Sequence, residues 1–136
     1  WSLYRRYQLI EKQEPSAENY MTGDAKLTIV AFGIAARIAK GAIKTARASG
    51  MKVGLFRPIT LWPFPSKKLQ DLAKTTHHFL DCEMNVGQMI DDVHLALGDK
   101  AKVDFYGRPG GVIATPSEVL RVITRLYHQN GLDIKK

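Results

Sequence analysis

An almost continuous apolar run, Leu27 to Phe32, constrains the fold of this chain more than any other feature. The run is rich in β-branched residues and ends at Gly33. A strand with apolar residues at successive positions has no side suited to water, so it belongs in a sheet that is covered on both faces. The run therefore predicts a central strand with a layer of structure on each side.

The next segments predict a strand–helix–strand unit. Apolar residues recur at four-residue intervals from Ile34 to Ala46, and Gly50 follows as the end of a helix. Val53–Phe56 is then a second strand, which Pro58 terminates because proline has no N–H to donate to a neighbouring strand. A crossover of this kind is almost always right-handed and leaves its two strands parallel.

The rest of the chain repeats the alternation of helix and strand. The last helix has the strongest start signal, a capping box of Thr115 and Glu118 with Pro116 at the first helical position. The preceding elements are a helix capped by Ser66 with Leu69, Leu72 and Ala73 inward, a strand His78–Cys82, a helix capped by Asn85 with Val86, Met89, Ile90, Val93 and Leu97 inward, and a strand Lys102–Tyr106. The predicted fold class is α/β, a three-layer αβα arrangement with a mostly parallel sheet.

The chain has 136 residues, which suits one domain. Residues 1–25 are more polar than the rest and contain Pro15, so they predict a short helix or edge strand followed by a linker. Residues 26–136 are the predicted domain. Because the chain begins at Trp1 without a secretory pattern, we expect it to be a piece of a longer protein.

Composition bounds the partners. The net charge of +7 is compatible with an anionic partner, but the basic residues occur singly or in pairs and do not form runs with aromatics, so we expect no nucleic acid. The longest apolar run is shorter than the roughly 18 residues that span a bilayer, so we expect no membrane partner. The single cysteine, Cys82, permits no internal disulfide and indicates a cytoplasmic setting.

Loops that leave the carboxyl ends of parallel strands meet at one edge of the sheet, the usual place for a binding crevice. Here a proline-rich loop, a polar turn and a glycine loop follow three of the predicted strands. No catalytic, cofactor-binding or metal-binding residue is predicted. The residues predicted to form an interface or to organise these loops are Arg57, Trp62, Phe64, Glu83, Asn85, Gly87, Gln88, Tyr106, Arg108, Gly110 and Gly111.

Two carboxylates, Asp81 and Glu83, lie on one face of a predicted strand. A catalytic pair would need environments that drive their pKa values apart, and no nucleophile stands near them in the sequence. We therefore favour hydrogen bonding to neighbouring loops. Glu83 is predicted to pair with Arg57, partly shielded by Trp62, or with Arg108.

The glycine loop, residues 107–111, has two interpretations. Arg108 and free backbone N–H groups could bind an anion such as a phosphate. The loop matches neither the dinucleotide fingerprint nor the P-loop, so a structural turn is favoured. The four histidines have no metal-ligand spacing, and a lone cysteine that ends a buried strand is usually a small core residue.

Three segments also carry a resemblance to a known family. They are residues 57–65 (RPITLWPFP), 83–89 (EMNVGQM) and 106–111 (YGRPGG), in that order within residues 27–127. The chain resembles the domain that follows the pyrimidine-binding domain in the alpha-type subunit of 2-oxoacid:ferredoxin oxidoreductases, especially the 2-ketoisovalerate type. The resemblance implies a fold similar to the C-terminal domain of transketolase, with an antiparallel edge strand that residues 7–14 would supply.

The resemblance also implies a structural and assembly role in a larger enzyme. The parent family oxidatively decarboxylates 2-oxo acids to acyl-coenzyme A and passes the electrons to ferredoxin, and the 2-ketoisovalerate type implies a branched-chain 2-oxo acid. Thiamine diphosphate, Mg²⁺, coenzyme A and iron–sulfur clusters would serve the parent complex and would not bind this chain, which is expected to be inactive alone. Its partners would be the other domains and subunits and, through the complex, ferredoxin.

An alternative follows from the residues alone. The glycine loop and its position at the strand ends are also compatible with a stand-alone α/β domain that binds a small ligand or a nucleotide.

Overall fold

A computed structural model describes residues 1–133, so the last three residues of the predicted domain lie outside the described part. The elements are α1 (Ser2–Gln13), β1 (Ala17–Tyr20), β2 (Leu27–Val30), α2 (Gly33–Ala48), β3 (Val53–Pro58), α3 (Ser66–Leu72), β4 (His78–Glu83), α4 (Met89–Leu97), a 3₁₀ turn (Gly98–Lys100), β5 (Lys102–Gly107) and α5 (Pro116–Gln129). The strands form one sheet in the order β1-β3-β2-β4-β5.

The predicted αβα class with a mixed sheet is confirmed. β2 pairs in parallel with β3 and β4, and β4 pairs in parallel with β5. β1 is the antiparallel edge strand, with Ala17 opposite Pro58 and Tyr20 opposite Leu55. The apolar run that begins at Leu27 is therefore central, and all four residues of β2 are buried.

The location predicted for the edge strand was wrong. Residues 7–13 lie in α1, and the edge strand begins only at Ala17. Pro15 separates the two elements because it has no N–H to donate and cannot continue a helix, so α1 ends with Glu14 as its C-cap. A strand that starts after the proline can then run back along β3.

Helices cover both faces of the sheet. On one face, α2 and α5 pack over side chains such as Ile29, Leu55 and Leu80, and the alanines of α2 allow a close approach. On the other face, α3 and α4 pack over Phe56 and Phe79. Burying a large apolar side chain of this kind stabilises the fold by about 1.5–3 kcal/mol. No helix within residues 1–133 has both the length and the apolarity needed to cross a membrane.

The helix starts agree with the sequence at one end of the chain and differ in its middle. The capping box is confirmed, since Glu118 N donates to Thr115 Oγ1 at 3.2 Å and Thr115 N donates to Glu118 Oε2 at 2.7 Å. Pro65, not Ser66, holds the N-cap position of α3, and Gln88, not Asn85, holds that of α4. α4 therefore begins after Val86, whose side chain is 79% exposed and lies outside the predicted core.

Candidate functional site

The carboxyl ends of β2, β3, β4 and β5 lie along one edge of the sheet, as the parallel pairing requires. The loops that follow β3, β4 and β5 carry apolar side chains that the domain leaves in solvent. We define the strand-end surface as the exposed apolar side chains of these loops: Ile59, Leu61, Trp62, Val86, Val112 and Ile113.

Glu83, the last residue of β4, organises the turn into α4. Its side chain is buried and accepts hydrogen bonds of 3.0–3.2 Å from the backbone N–H groups of Gln88, Met89 and Ile90. Asn85 Nδ2 donates a further bond of 3.0 Å. Glu83 thus satisfies the free N–H groups at the start of α4, which is why Asn85 is not needed as the cap.

Asn85 and Gly87 shape the same turn. The side-chain oxygen of Asn85 accepts a bond of 2.6 Å from Gly87 N. Gly87 has a φ of +107°, a conformation that L side chains rarely adopt. The predicted loop-organising roles of Glu83, Asn85 and Gly87 therefore have a geometric basis, while Gln88 contributes its backbone N–H and leaves its side chain exposed.

The two carboxyl groups of β4 have different environments. Burial raises the pKa of Glu83, but the hydrogen bonds from Asp81, Met89 N and Asn85 outweigh burial and hold that pKa below its usual value. Burial and the neighbouring Glu83 raise the pKa of Asp81 well above its usual range. The pKa values are thus driven apart, but both side chains are fully buried and do not reach a substrate from solvent.

The predicted pairing of Glu83 with Arg57 was wrong. Arg57 Nη1 lies 3.1 Å from Glu18 Oε2 on β1, and β2 separates β3 from β4. The alternative with Arg108 was also wrong, because Arg108 Nη1 lies 3.1 Å from Glu118 Oε1 on α5. Arg57 therefore pairs with a residue 39 positions earlier in the chain, and Arg108 pairs with the first turn of the next helix.

The proline-rich loop has a defined internal structure. Thr60 Oγ1 donates to Pro63 O at 2.8 Å and accepts from Ser16 N at 2.9 Å, which ties the loop to the segment before β1. Phe64 packs against the core face of α3 and α4. Trp62 is 57% exposed and stacks edge to face on Tyr7 of α1 at 5.8 Å, so it does not shield a pair between Arg57 and Glu83.

The glycine loop after β5 is a turn in which Arg108 is already paired. Gly110 and Gly111 have φ values of +91° and +74°, which explains the need for glycine there. At Gly107, a side chain would collide with the carbonyl oxygen of Asn85, so the two strand-end loops touch at this point. Tyr106 is half-buried, and burial raises its pKa.

Glu18, Thr60 and Gly107 were not among the residues predicted from the sequence. Glu18 and Thr60 matter only because β1 lies beside β3, and a single sequence gives no signal for that pairing. Gly107 stood in the glycine loop, but its contact with the Asn85 carbonyl depends on the register of β4 and β5. Each of these roles comes from tertiary contacts.

The described residues do not offer the ligands of a metal ion or an iron–sulfur cluster. Among residues 1–133, no three or more His, Cys, Asp or Glu side chains are grouped so that they could hold a metal ion. Cys82, the single cysteine, is buried, and burial raises its pKa to about 12, whereas cluster ligands are thiolates. Asp81 and Glu83 are both buried, and the oxygens of Glu83 accept hydrogen bonds from the turn into α4.

The fold defines a class: an αβα domain with one antiparallel edge strand, a transketolase-like fold. The solved structures that share this fold include the following two. One is a 2-oxoglutarate:ferredoxin oxidoreductase from Magnetococcus marinus, with a TM-score of 0.76 and 21% identity over 91% of this chain and 23% of that one. The other is a split-gene transketolase, with a TM-score of 0.64 and 17% identity over 81% of this chain and 40% of that one.

Within that class, residues 25–119 match the family model for the pyruvate:ferredoxin oxidoreductase core domain II, and the chain belongs to this family. It is 43% identical over 95% of its length to the ketoisovalerate oxidoreductase subunit VorB of Methanothermobacter marburgensis. It is 34% identical over 75% of its length to the 2-oxoglutarate synthase subunit KorA of the same organism. The chain spans 36% of the first relative and 27% of the second, about a third and about a quarter of their lengths.

Proposed function

We propose that this chain is a structural and assembly domain of a 2-oxoacid:ferredoxin oxidoreductase subunit and contributes no catalytic group. The observation that carries the proposal is that the polar side chains at the strand ends are paired within the domain, while the apolar ones are exposed. Glu83, Arg57 and Arg108 are engaged within the domain, whereas the apolar side chains of the same loops are exposed. A site that acts on a substrate needs the opposite, free polar groups in a sheltered cavity.

The strand-end surface is the proposed contact with another domain or subunit. Val86, Trp62 and Ile113 are 79%, 57% and 60% exposed. Interfaces are centred on large apolar and aromatic side chains such as these, with a polar rim. Arg108, which is partly exposed beside Glu118, belongs to the rim of this surface.

For the parent enzyme, we propose oxidative decarboxylation of a branched-chain 2-oxo acid to acyl-coenzyme A with reduction of ferredoxin. The higher identity to the ketoisovalerate subunit, 43% against 34% for the 2-oxoglutarate subunit, supports this substrate class. Thiamine diphosphate, Mg²⁺, coenzyme A and the iron–sulfur clusters would be held by other domains and subunits. A single buried cysteine also supports a cytoplasmic location.

The contact is tested by a matched pair of substitutions in the parent subunit, coexpressed with its partner subunits. Val86→Glu places a charge on the strand-end surface. Leu95→Glu places the same charge at an equally exposed position, 83%, on α4 outside that surface. We expect Val86→Glu to reduce the yield of assembled complex in size-exclusion chromatography and Leu95→Glu to leave it unchanged. Equal assembly of both variants would contradict the proposed contact.

The absence of catalysis in this chain is tested separately. Calorimetric titration of the chain with thiamine diphosphate, coenzyme A and nucleotides should give no tight binding. Tight binding of any of these would instead support the alternative, a stand-alone ligand-binding domain.

A further inference from the structure

We propose that Asp81 and Glu83 share one proton, and that this proton keeps the turn of residues 84–88 packed against the domain. While the pair holds the proton, Asp81 is neutral and donates its O–H to the Glu83 carboxylate. The inference concerns the buried end of β4 and goes beyond the assembly role, on which it does not depend.

The first step is the hydrogen-bond inventory of Glu83. Its two oxygens accept from the backbone N–H groups of Gln88, Met89 and Ile90 and from Asn85 Nδ2, all at 3.0–3.2 Å. A carboxylate accepts such bonds with both oxygens, whereas a protonated carboxyl group would present an O–H to a donor. The geometry therefore assigns the ionised form to Glu83.

The second step is the isolation of Asp81. Both of its carboxyl oxygens are buried, and neither has an N–H or hydroxyl partner among the described residues. Asp81 and Glu83 are alternate residues of β4, so both buried side chains lie on the same face of the sheet, and burial, with a contribution from Glu83, raises the pKa of Asp81. Two adjacent buried carboxylates repel each other strongly, so the lower-energy arrangement places a proton between them. A protonated Asp81 gains a partner, and Glu83 gains another donor.

The surroundings of Asp81 and Glu83 do not neutralise their charge. Among residues 1–133, the structure places no cationic side chain against the two carboxyl groups. The residues opposite Asp81 in the sheet are Val30 on β2 and Phe105 on β5, both apolar. The titratable neighbours are Cys82 on β4 itself and Asp92 on α4, which lines a cavity of about 180 Å³ together with Glu83. The charged residues of α3, Lys67, Lys68 and Asp71, are exposed.

The consequence is a turn whose order depends on pH. Loss of the proton leaves two buried carboxylates close together. Their repulsion decreases when Glu83 moves away and breaks its hydrogen bonds to the N–H groups at the start of α4. Residues 84–88 would then separate from Gly107, which the Asn85 carbonyl touches. Burial and Glu83 raise the pKa of Asp81, so this happens only in alkali.

The first test is infrared spectroscopy of the folded chain at neutral pH. We expect the carbonyl band of a protonated carboxyl group, present in the wild type and absent in Asp81→Asn. A wild-type spectrum without that band would overturn the proposal, whether or not the variant folds.

The second test compares stability with pH. Because the folded pKa of Asp81 lies above its unfolded value, the folded state binds the extra proton and stability falls as pH rises between the two values. The unfolding constant of the wild type, divided by that of Asp81→Asn, should therefore rise by up to about tenfold per pH unit between the two values. Leu95→Ala, at an exposed position of α4, removes no titratable group and is the control, which should show a flat ratio. A flat ratio for Asp81→Asn would contradict the shared proton.

The third test separates a positioning role from simple packing. Hydrogen exchange should show that protection of the Gln88, Met89 and Ile90 amides decreases in alkali in the wild type. Asp81→Leu, which cannot donate, should lower that protection at every pH, and Asp81→Asn, whose amide can donate, should restore it. Equal protection in the leucine and asparagine variants would show that Asp81 does not position Glu83. None of these measurements depends on assembly of the parent complex, so they test the shared proton independently of the proposed function.

Discussion

Arg57 and Glu18 face each other across the antiparallel edge of the sheet, with Arg57 Nη1 3.1 Å from Glu18 Oε2. Lys40 of α2 approaches the other carboxylate oxygen at 2.6 Å. The hydrogen bond from Lys40, followed by the pair with Arg57, holds the pKa of Glu18 below its usual value. One acidic residue of β1 therefore links the edge strand to both β3 and α2.

This arrangement predicts an order of effects on stability. Glu18→Ala removes the partner of two cations, whereas Arg57→Ala removes one of them, so Glu18→Ala should lower the melting temperature more. Both shifts should be small, because ion pairs that are partly exposed contribute little. Thermal melts of the single and double variants measure the coupling. A coupling of Arg57 with Glu83 in place of Glu18 would contradict the observed pairing.

Substitution of Glu83 should have a much larger effect. Glu83→Ala leaves three backbone N–H groups at the start of α4 without their acceptor in a buried site, and each unsatisfied group costs about 1–3 kcal/mol. We expect a total loss of roughly 3 kcal/mol or more, measured by urea unfolding. Glu14→Ala, an exposed glutamate after α1, is the control and should change little. A loss of similar size in both variants would argue against the cap.

The alternation of strands and helices was predictable because it depends on local pattern. The run from Leu27 and the capping box of Thr115 and Glu118 each identify an element without knowledge of its neighbours. The partner of Arg57 was not predictable, because it depends on which strands are adjacent. Consecutive strands β3 and β4 lie on either side of β2, so sequence order was a poor guide to contact.

The candidate site was also predictable only in part. The loops were located correctly at the strand ends, since that position follows from parallel topology. The start of α4 was misassigned because Asn85 is a good cap in isolation, and the buried Glu83 that replaces it lies two residues upstream. A helix that is capped by a side chain of the preceding strand leaves no signal at its own N-cap position.

Cys82 should be unreactive in the folded chain. Burial, with smaller contributions from Asp81 and Glu83, raises its pKa to about 12, so the thiolate is almost absent at neutral pH. A disulfide reagent at pH 8 should label the chain only after denaturation, whereas Ser117→Cys, on the exposed side of α5, should add a rapidly labelled thiol. Rapid labelling of the native wild type would show that the carboxyl end of β4 opens locally.

The raised pKa of Cys82 also means that stability falls as pH increases from the unfolded thiol's pKa, about 8.5, toward 12.

Gly107→Ala should destabilise the contact between the two strand-end loops. A methyl group at this position meets the carbonyl oxygen of Asn85 and the ring of Phe105, so the loop after β4 must shift. Overpacking of this kind typically costs about 1–3 kcal/mol. Gly23→Ala is the matched control, because a methyl group there meets no atom within 4 Å and the residue has no positive φ. Urea unfolding should show a loss for Gly107→Ala and almost none for Gly23→Ala. The obstructing atom is a backbone oxygen of the turn that Glu83 caps. Hydrogen exchange at the Gln88 and Met89 amides should therefore increase in Gly107→Ala and not in Gly23→Ala. Unchanged exchange in Gly107→Ala would mean that the two loops move independently.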